Sequence, residues 1–357
     1  MEEIKEKYPS PRKTEISYDY SNIEDADLIP QEDVVISLTH FGYVKRVPVA
    51  EYRTQRRGGK GVTAHKPKEE DFVSNMFVTS THDDVLFFTD KGRVYSMKGY
   101  MIPEGQRTAR GRAIVNLLQL SDNEKVRAMI PLKEGTEGYI ALATKNGLIK
   151  KTALTEFASI RKVGKIAISI VEGDELISVQ LTSGNDQIII ASHDGKCIRF
   201  SEEDVRPMGR DTQGVRSIML DGDDYVVDMS VIHDNCEVIT MTENGFGKRS
   251  DIEDYRLQSR GGKGVKAGTF NEKTGKLVSL KLISEAEDIM IITSNGTIIR
   301  VAVADISKIG RDTQGVRIMR IDDSTVSKIA ITPKNDEETT EDGEVLVTEQ
   351  AEEQTQE

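Results

Sequence analysis

The feature that most constrains the fold of this chain is an internal repeat of about 50 residues. In each repeat an apolar run ends in a Thr or Ser, and a glycine follows three residues later. Successive glycines lie 50, 55, 48, 50 and 51 residues apart. They are Gly42, Gly92, Gly147, Gly195, Gly245 and Gly296. Strand-like segments flank each of them, which is typical of a β-hairpin, and repeats of this length are typical of propeller blades.

A second glycine keeps the same register in every repeat. It follows the first by 19 residues in five repeats and by 17 in the third, and it lies in a basic loop. The second glycines are Gly61, Gly111, Gly164, Gly214, Gly264 and Gly315. Several first strands, such as residues 188–191, are apolar throughout, which favours burial on both faces. We therefore predict an all-β chain of six blades arranged as a propeller-like disc.

The two ends of the chain differ in charge from the repeats. The formal net charge is −12, but residues 1–33 contribute −6 and residues 335–357 contribute −10, which leaves +4 between them. We predict a helix end and linker over residues 1–33, the bladed domain over 34–321, and a terminal segment with a disordered acidic tail over 322–357. The acidic start and the absence of a long apolar run predict no signal peptide, no membrane span and a cytoplasmic location.

Cations recur at fixed distances from both glycines. A first set stands four residues after the hairpin glycine, with a lysine before it in three repeats: Arg46, Lys151, Arg199, Arg249 and Arg300, preceded by Lys45, Lys150 and Lys248. A second set surrounds the second glycines: Arg107, Arg110, Arg112, Arg161, Lys162, Lys165, Arg210, Arg216, Arg260, Lys263, Lys266, Arg311 and Arg317. A single loop of this kind could be a blade-closing turn whose arginines bridge neighbouring blades. Six loops in register favour contact with the phosphates of a polyanion.

The basic loop of the first repeat reads QRRGGKG, and its residues are Gln55, Arg56, Arg57, Gly58, Gly59, Lys60 and Gly61. This string matches all seven positions of the box that marks the C-terminal domain of bacterial DNA gyrase A. The fifth repeat carries a degenerate copy, QSRGGKG, at residues 258–264. The chain thus resembles that family over about residues 34–321. The resemblance implies a six-bladed β-pinwheel, in which neighbouring blades exchange strands, although the repeat spacing does not itself show the exchange.

The resemblance also implies a function. Double-stranded DNA would wrap around the basic rim with positive writhe, so that the gyrase holoenzyme introduces negative supercoils, and the box would latch the wrap at the first repeat. The implied partners are the gyrase A cleavage domain and gyrase B, in an A2B2 heterotetramer associated with the nucleoid. ATP and Mg²⁺ would be used elsewhere in that assembly, so no cofactor is expected in this fragment.

We predict no catalytic residue and no metal ligand, because the chain contains neither a Walker A string nor an HExxH motif and its five histidines are scattered. Two other functions stay open. The chain could be the homologous C-terminal domain of topoisomerase IV, which the intact box disfavours, or a protein-binding β-propeller. The acidic tail could serve solubility, or it could compete with DNA for the basic rim.

Overall fold

Six antiparallel hairpins, one for each repeat, form the middle of six sheets. The computed structural model describes residues 28–49, 73–106, 109–133, 135–158, 160, 163–295, 297–321 and 324–333. The hairpins are β1 (Asp33–Thr39) with β2 (Tyr43–Pro48), β4 (Asp84–Thr89) with β5 (Arg93–Lys98), β8 (Tyr139–Thr144) with β9 (Leu148–Ala153), β12 (Gln187–Ser192) with β13 (Lys196–Ser201), β16 (Glu237–Thr242) with β17 (Phe246–Asp251), and β20 (Glu287–Thr293) with β21 (Ile298–Ala302). The five described hairpin glycines have φ between 73° and 83°, a left-handed turn conformation that favours glycine. The first sequence landmark is therefore a hairpin turn.

A third strand pairs with the first strand of each hairpin and lies at the centre of the molecule. These inner strands are β3 (Val73–Ser80), β7 (Val126–Leu132), β11 (Leu176–Thr182), β15 (Val226–Ile232), β19 (Leu277–Ile283) and β23 (Val326–Pro333). Residues of all six line a central cavity of about 460 Å³. The last inner strand lies beyond the predicted domain end at residue 321. Its Val326 and Ile329 are buried, so the sixth blade continues to residue 333.

Two-residue strands connect each blade to the one before it. They are β6 (Arg112–Ala113), β10 (Lys165–Ile166), β14 (Val215–Arg216), β18 (Val265–Lys266) and β22 (Val316–Arg317). Each follows the hairpin of its own repeat but pairs with the second hairpin strand of the preceding blade: β6 with β2, β10 with β5, β14 with β9, β18 with β13 and β22 with β17. This is the strand exchange of a β-pinwheel. Among the described residues, the sixth sheet contains three strands, in the order β21-β20-β23.

The second glycines mark the points where these exchanged strands meet the neighbouring blade. The five described ones have φ between 70° and 97°. A Cβ atom on Gly111 or Gly214 would lie 2.6 Å from the carbonyl oxygen of Val44 or Ile149, which belong to the preceding blade. Glycine is required here both for the left-handed backbone and for this close approach. The exchanged strands are the outer edge of the first five sheets, because the inner strands occupy the opposite edge.

The core lies between the blades. Ile188 and Ile190 belong to one buried cluster, while Ile189 and Ala191 of the same strand belong to the next, so this apolar strand is covered on both faces as predicted. Short 3-10 helices follow the hairpins or the first exchanged strand: Gly99–Met101, Ile114–Asn116, Leu154–Phe157, Glu202–Asp204, Ile252–Asp254 and Val303–Asp305. No helix in the described ranges is long and apolar enough to cross a membrane.

Candidate nucleic-acid interface

The lysine three residues after the hairpin glycine is buried in the first, third and fifth blades. Lys45, Lys150 and Lys248 each expose 2% or less of their surface. The Nζ of Lys45 donates to the carbonyl oxygen of Ala109 at 2.9 Å, in the loop of the next repeat. Lys150 and Lys248 donate to loop carbonyls in the same way. These three side chains hold the exchanged loop of the following repeat against their own blade.

The cation at the next position binds the same following repeat, but within its 3-10 helix or at the residue that directly follows it. The Nε of Arg46 donates to the carbonyl oxygen of Ile102 at 2.8 Å, and the Nε of Arg249 donates to that of Ile306 at 2.7 Å. Lys151 donates from Nζ to the carbonyl oxygen of Glu202 at 2.9 Å. The guanidinium of Arg199 donates to the carbonyl oxygens of Ile252 and Tyr255. A cation at this position therefore fixes the start of the crossing from one blade to the other.

The first set of cations therefore has partners inside the protein, and direct phosphate contact does not fit their burial. The side chains concerned are Lys45, Arg46, Lys150, Lys151, Arg199, Lys248 and Arg249. Arg300, the last member of the set, is more exposed, and its Nε lies 2.7 Å from the carboxylate of Asp288. The fixed register of this set reflects a structural role, since in four of the five exchanges such a cation anchors the crossing chain on the preceding blade.

Burial also affects the ionisation of two of these lysines. It lowers the pKa of Lys150 to about 8, although the carboxylate of Asp211 acts in the opposite direction. It lowers the pKa of Lys248 to about 8 as well, against the influence of Asp312. Desolvation of a charged ammonium group is the main cause in both cases. Each lysine therefore loses its proton in the mildly alkaline range, around pH 8.

Three arginines of the second set connect consecutive exchanged loops. Each stands four residues before the second glycine: Arg210, Arg260 and Arg311. The Nη1 of Arg260 donates to the carbonyl oxygen of Arg216 at 2.6 Å, and its Nε donates to that of Asp204 at 3.1 Å. Arg210 and Arg311 donate to the equivalent carbonyls of the loop before theirs, those of Ile166 and Lys266. These contacts link the outer edges of neighbouring blades.

The remaining described members of the second set lie on the outer edge, on or beside the exchanged strands. The exposed ones are Arg112, Arg216, Lys263, Lys266 and Arg317. Arg110 and Lys165 are half-buried, and the guanidinium of Arg110 stacks 3.7 Å from the ring centre of Tyr43. We call the exposed cations of this edge the rim cations. Arg216, Lys266 and Arg317 occupy the same position in three consecutive blades, two residues after the second glycine.

Sequence reasoning missed three further rim cations. Arg206, Arg256 and Lys308 are exposed, and they enter the same loops seven or eight residues before the second glycine. Pro207 and Leu257, which directly follow Arg206 and Arg256, form single β-bridges with the second hairpin strand of the preceding blade. Lys308 forms such a bridge itself. The repeat alignment could have found Arg206 and Arg256, because they stand at equivalent positions. With these three, the described rim carries eight exposed cations, one of which, Lys308, is paired with the carboxylates of Glu237 and Asp251.

Several predicted residues lie outside the described ranges. They are the whole box, from Gln55 to Gly61, together with Arg107, Arg161 and Lys162. The acidic tail from residue 335 onward also lies outside them. Within the described part of the chain, no group of three or more His, Cys, Asp or Glu side chains is placed to hold a metal ion.

The chain matches a known protein family repeat by repeat. The family profile described as "DNA gyrase C-terminal domain, beta-propeller" matches residues 33–80, 83–133, 138–183, 186–233, 237–284 and 287–333, one match for each blade. The DNA gyrase A protein of Staphylococcus aureus strain MRSA252 is 46% identical over 363 residues, covering 100% of this chain and 41% of the relative. The protein of the same name from strain COL is 47% identical over 350 residues, covering 96% and 40%. The chain thus spans about two fifths of the length of these relatives.

Two solved structures share the fold. The C-terminal domain of a DNA topoisomerase IV superimposes with a TM-score of 0.76 at 23% identity, covering 85% of this chain and 94% of that one. The C-terminal domain of a DNA gyrase A superimposes with a TM-score of 0.65 at 26% identity, covering 84% and 100%. The identity to the topoisomerase IV domain is low enough that this match speaks for the fold alone.

Proposed function

Since this chain belongs to the family of DNA gyrase C-terminal β-propeller domains, we propose that it binds duplex DNA along its outer rim and wraps it. The observation that carries the proposal is the row of exposed cations on the exchanged strands. Arg216, Lys266 and Arg317 repeat once per blade along one edge, which suits a phosphate backbone that follows the same edge. Contacts of this kind position DNA without reading its sequence.

The energy of bending explains why one basic loop would not be enough. Bending a duplex through half a circle in ~35 base pairs costs on the order of 10 kcal/mol by the worm-like-chain estimate. The rim cations lie in four of the exchanged loops, three of them consecutive, and can distribute that cost over many phosphate contacts. The buried lysines and arginines support the wrap indirectly, because they fix the loops that carry the rim cations.

The wrap is proposed to be chiral. A duplex carried around the rim with positive writhe would present a crossing that strand passage converts into negative supercoils. On this proposal the cutting of DNA and the hydrolysis of ATP with Mg²⁺ belong to the gyrase A cleavage domain and to gyrase B, joined with this chain in an A2B2 assembly. The box at residues 55–61 would latch the wrap.

The test is ligation of a nicked plasmid in the presence of the protein, with the linking number read after the protein is removed. We expect a positive shift for the wild type. The rim variant Arg216→Gln, Lys266→Gln, Arg317→Gln should reduce that shift, and replacement of the box by alanine should abolish it.

A matched control removes three exposed lysines that directly flank inner strands, Lys125→Gln, Lys133→Gln and Lys276→Gln, and it should behave as the wild type. Tight binding without any shift would mean that the domain bends or tethers DNA without fixing its handedness. Absence of DNA binding at ~50 mM salt, where backbone contacts are strongest, would favour the protein-binding propeller instead.

A further inference from the structure

The central cavity is lined by polar side chains at one level of the ring, where apolar side chains could have filled it instead. One residue of each inner strand pairs with the residue just before the Thr or Ser that ends the first hairpin strand. All six of these residues line the cavity: Asn75, Ala128, Ser178, Asp228, Ser279 and Lys328. Five of the six are polar or charged. A polar lining of this kind needs partners, because buried polar groups without hydrogen bonds are costly.

The charges that line the cavity are unbalanced. Its four cations are Arg127, Lys145, Lys281 and Lys328, and its two anions are Glu175 and Asp228. Both carboxylates are already occupied. Glu175 accepts from Arg127 at 2.6 Å and from Lys145 at 3.1 Å, while Asp228 accepts from Lys281 at 2.6 Å and from the hydroxyl of Ser279 at 2.8 Å. The cavity therefore has a net charge of +2 with no free carboxylate among the described residues.

Lys328 is the cation in excess. Of the four, it alone has no carboxylate within ion-pair distance in the described part of the chain. Desolvation by the surrounding blades, together with the charges of Lys281 and Arg127, lowers its pKa to about 8 against the pull of Asp228. Its side chain nevertheless keeps exposed surface and lines the cavity. An anion entering the cavity would meet an accessible ammonium group that no carboxylate of the described residues neutralises.

We propose that the central cavity is a binding site for a small, multiply charged oxyanion of the phosphate class, held by Lys328 together with Lys281 and Arg127. The hydroxyl group of Ser327, which also lines the cavity, can donate to the same oxygens. A duplex is too wide for a cavity of about 460 Å³, so this site is separate from the rim. The bound anion would bridge inner strands from different blades and stabilise the ring against unfolding.

The test is calorimetric titration of the full chain with sodium sulfate at pH 7 and low ionic strength. We expect saturable binding that Lys328→Met weakens at least tenfold. The matched control is Lys263→Met, which removes the same charge from the outer rim, and it should leave the affinity unchanged. Equal affinity in Lys328→Met and the wild type would overturn the proposal, and so would an equal loss in both variants, which would indicate general attraction to a basic protein.

A second variant keeps the test decisive if Lys328→Met does not fold. Ser327→Asp places a carboxylate in the same cavity, so it should remove sulfate binding while the thermal midpoint stays equal or rises. Unchanged sulfate binding in Ser327→Asp would overturn the proposal.

The pH dependence gives an independent readout, because sulfate keeps its charge between pH 7 and 9. Affinity should fall several-fold as the pH rises through 8 and Lys328 loses its proton. Lys328→Met, in contrast, should show a flat profile over the same range. A flat profile in the wild type as well would contradict the role given to Lys328.

The anion could come from solution or from the carboxylates of the chain's own acidic end, and truncation separates the two. A chain ending at residue 335 should bind sulfate more tightly than the full chain if those carboxylates occupy the cavity, and Lys328→Met should cancel the difference. Unchanged sulfate affinity on truncation would assign the site to a free anion.

Discussion

Lys150 has no exposed surface, yet its ammonium group has three carbonyl acceptors, on Ala167, Arg210 and Thr212. A charged ammonium group carries three N–H donors, so the three carbonyl oxygens satisfy it completely. The sequence predicted that a cation at this position had a function, but it could not distinguish a carbonyl acceptor from a phosphate acceptor, because both accept hydrogen bonds from lysine. Only the strand exchange, which brings residues 210–212 beside Lys150, decides between them.

Replacing Lys150 with Met keeps the length and the apolar part of the side chain but removes the three donors. Buried carbonyls would then lack a partner, and we expect the free energy of unfolding to fall by about 3 kcal/mol. Urea denaturation measures this change. Lys263→Met, at an exposed position on the rim, serves as the control and should change stability by less than about 0.5 kcal/mol. A similar effect from both substitutions would show that the carbonyl contacts do not anchor the loop.

The lowered pKa values of Lys150 and Lys248 make a prediction about pH. In the unfolded chain each group titrates near 10.5, whereas in the folded chain it titrates at about 8. Between these values the unfolded chain binds more protons, so the contribution of each lysine to stability rises with pH across this window. The stability difference between the wild type and a Lys150→Met, Lys248→Met variant should therefore grow by roughly 1–3 kcal/mol between pH 8 and 10.5. Urea denaturation at a series of pH values would show it, and a constant difference would contradict the shifts.

The exchanged strand is the element that the sequence located but could not assign. The second glycine marked its position in every repeat, and the spacing predicted six units in register. Pairing within a repeat and pairing with the preceding repeat leave the same spacing, so the periodicity could not choose between them. The contact that distinguishes the two pairings is the approach of Gly214 to the carbonyl oxygen of Ile149, one blade earlier. This dependence on a residue 65 positions away is why the topology required the structure.

Gly214→Ala should disrupt one exchange. An added Cβ would lie 2.6 Å from the carbonyl oxygen of Ile149, at a residue whose φ is +97°, so we expect a loss of more than about 2 kcal/mol in unfolding free energy. Gly222→Ala separates the two causes, because Gly222 has φ +56° with no atom within 4 Å, and it should cost only about 1 kcal/mol. Gly310→Ala, which has open space and no positive φ, should be close to neutral. Equal losses at Gly214 and Gly222 would mean that the close approach contributes nothing.

The charged groups of the ring lie at different distances from its centre, and this arrangement could be predicted only in part. The net charge of +4 between two acidic ends predicted a basic body. It could not show that part of that charge is buried between blades, part lines the central cavity, and part lies on the rim. Radial position depends on which strand edge a residue occupies, and that follows from the exchange topology. The repeat alignment offers Arg206 and Arg256 as equivalent positions, but it does not place them on the rim, since the loop before the second glycine follows the outer edge only because it crosses to the preceding blade.

The rim assignment predicts how DNA affinity depends on salt. Each phosphate neutralised by a rim cation releases condensed counterions and adds about −0.9 to the slope of log affinity against log salt. Removing Arg216, Lys266 and Arg317 as glutamines should therefore make the slope shallower by about 2.7, if each contacts one phosphate. The control variant at Lys125, Lys133 and Lys276 removes the same number of positive charges but from positions that directly flank inner strands, so its slope should match that of the wild type. Fluorescence anisotropy with a duplex of ~40 base pairs, titrated between about 50 and 300 mM salt, measures both slopes. Equal changes in the two variants would mean that the affinity follows total charge, and the duplex would then not be held at the exchanged strands.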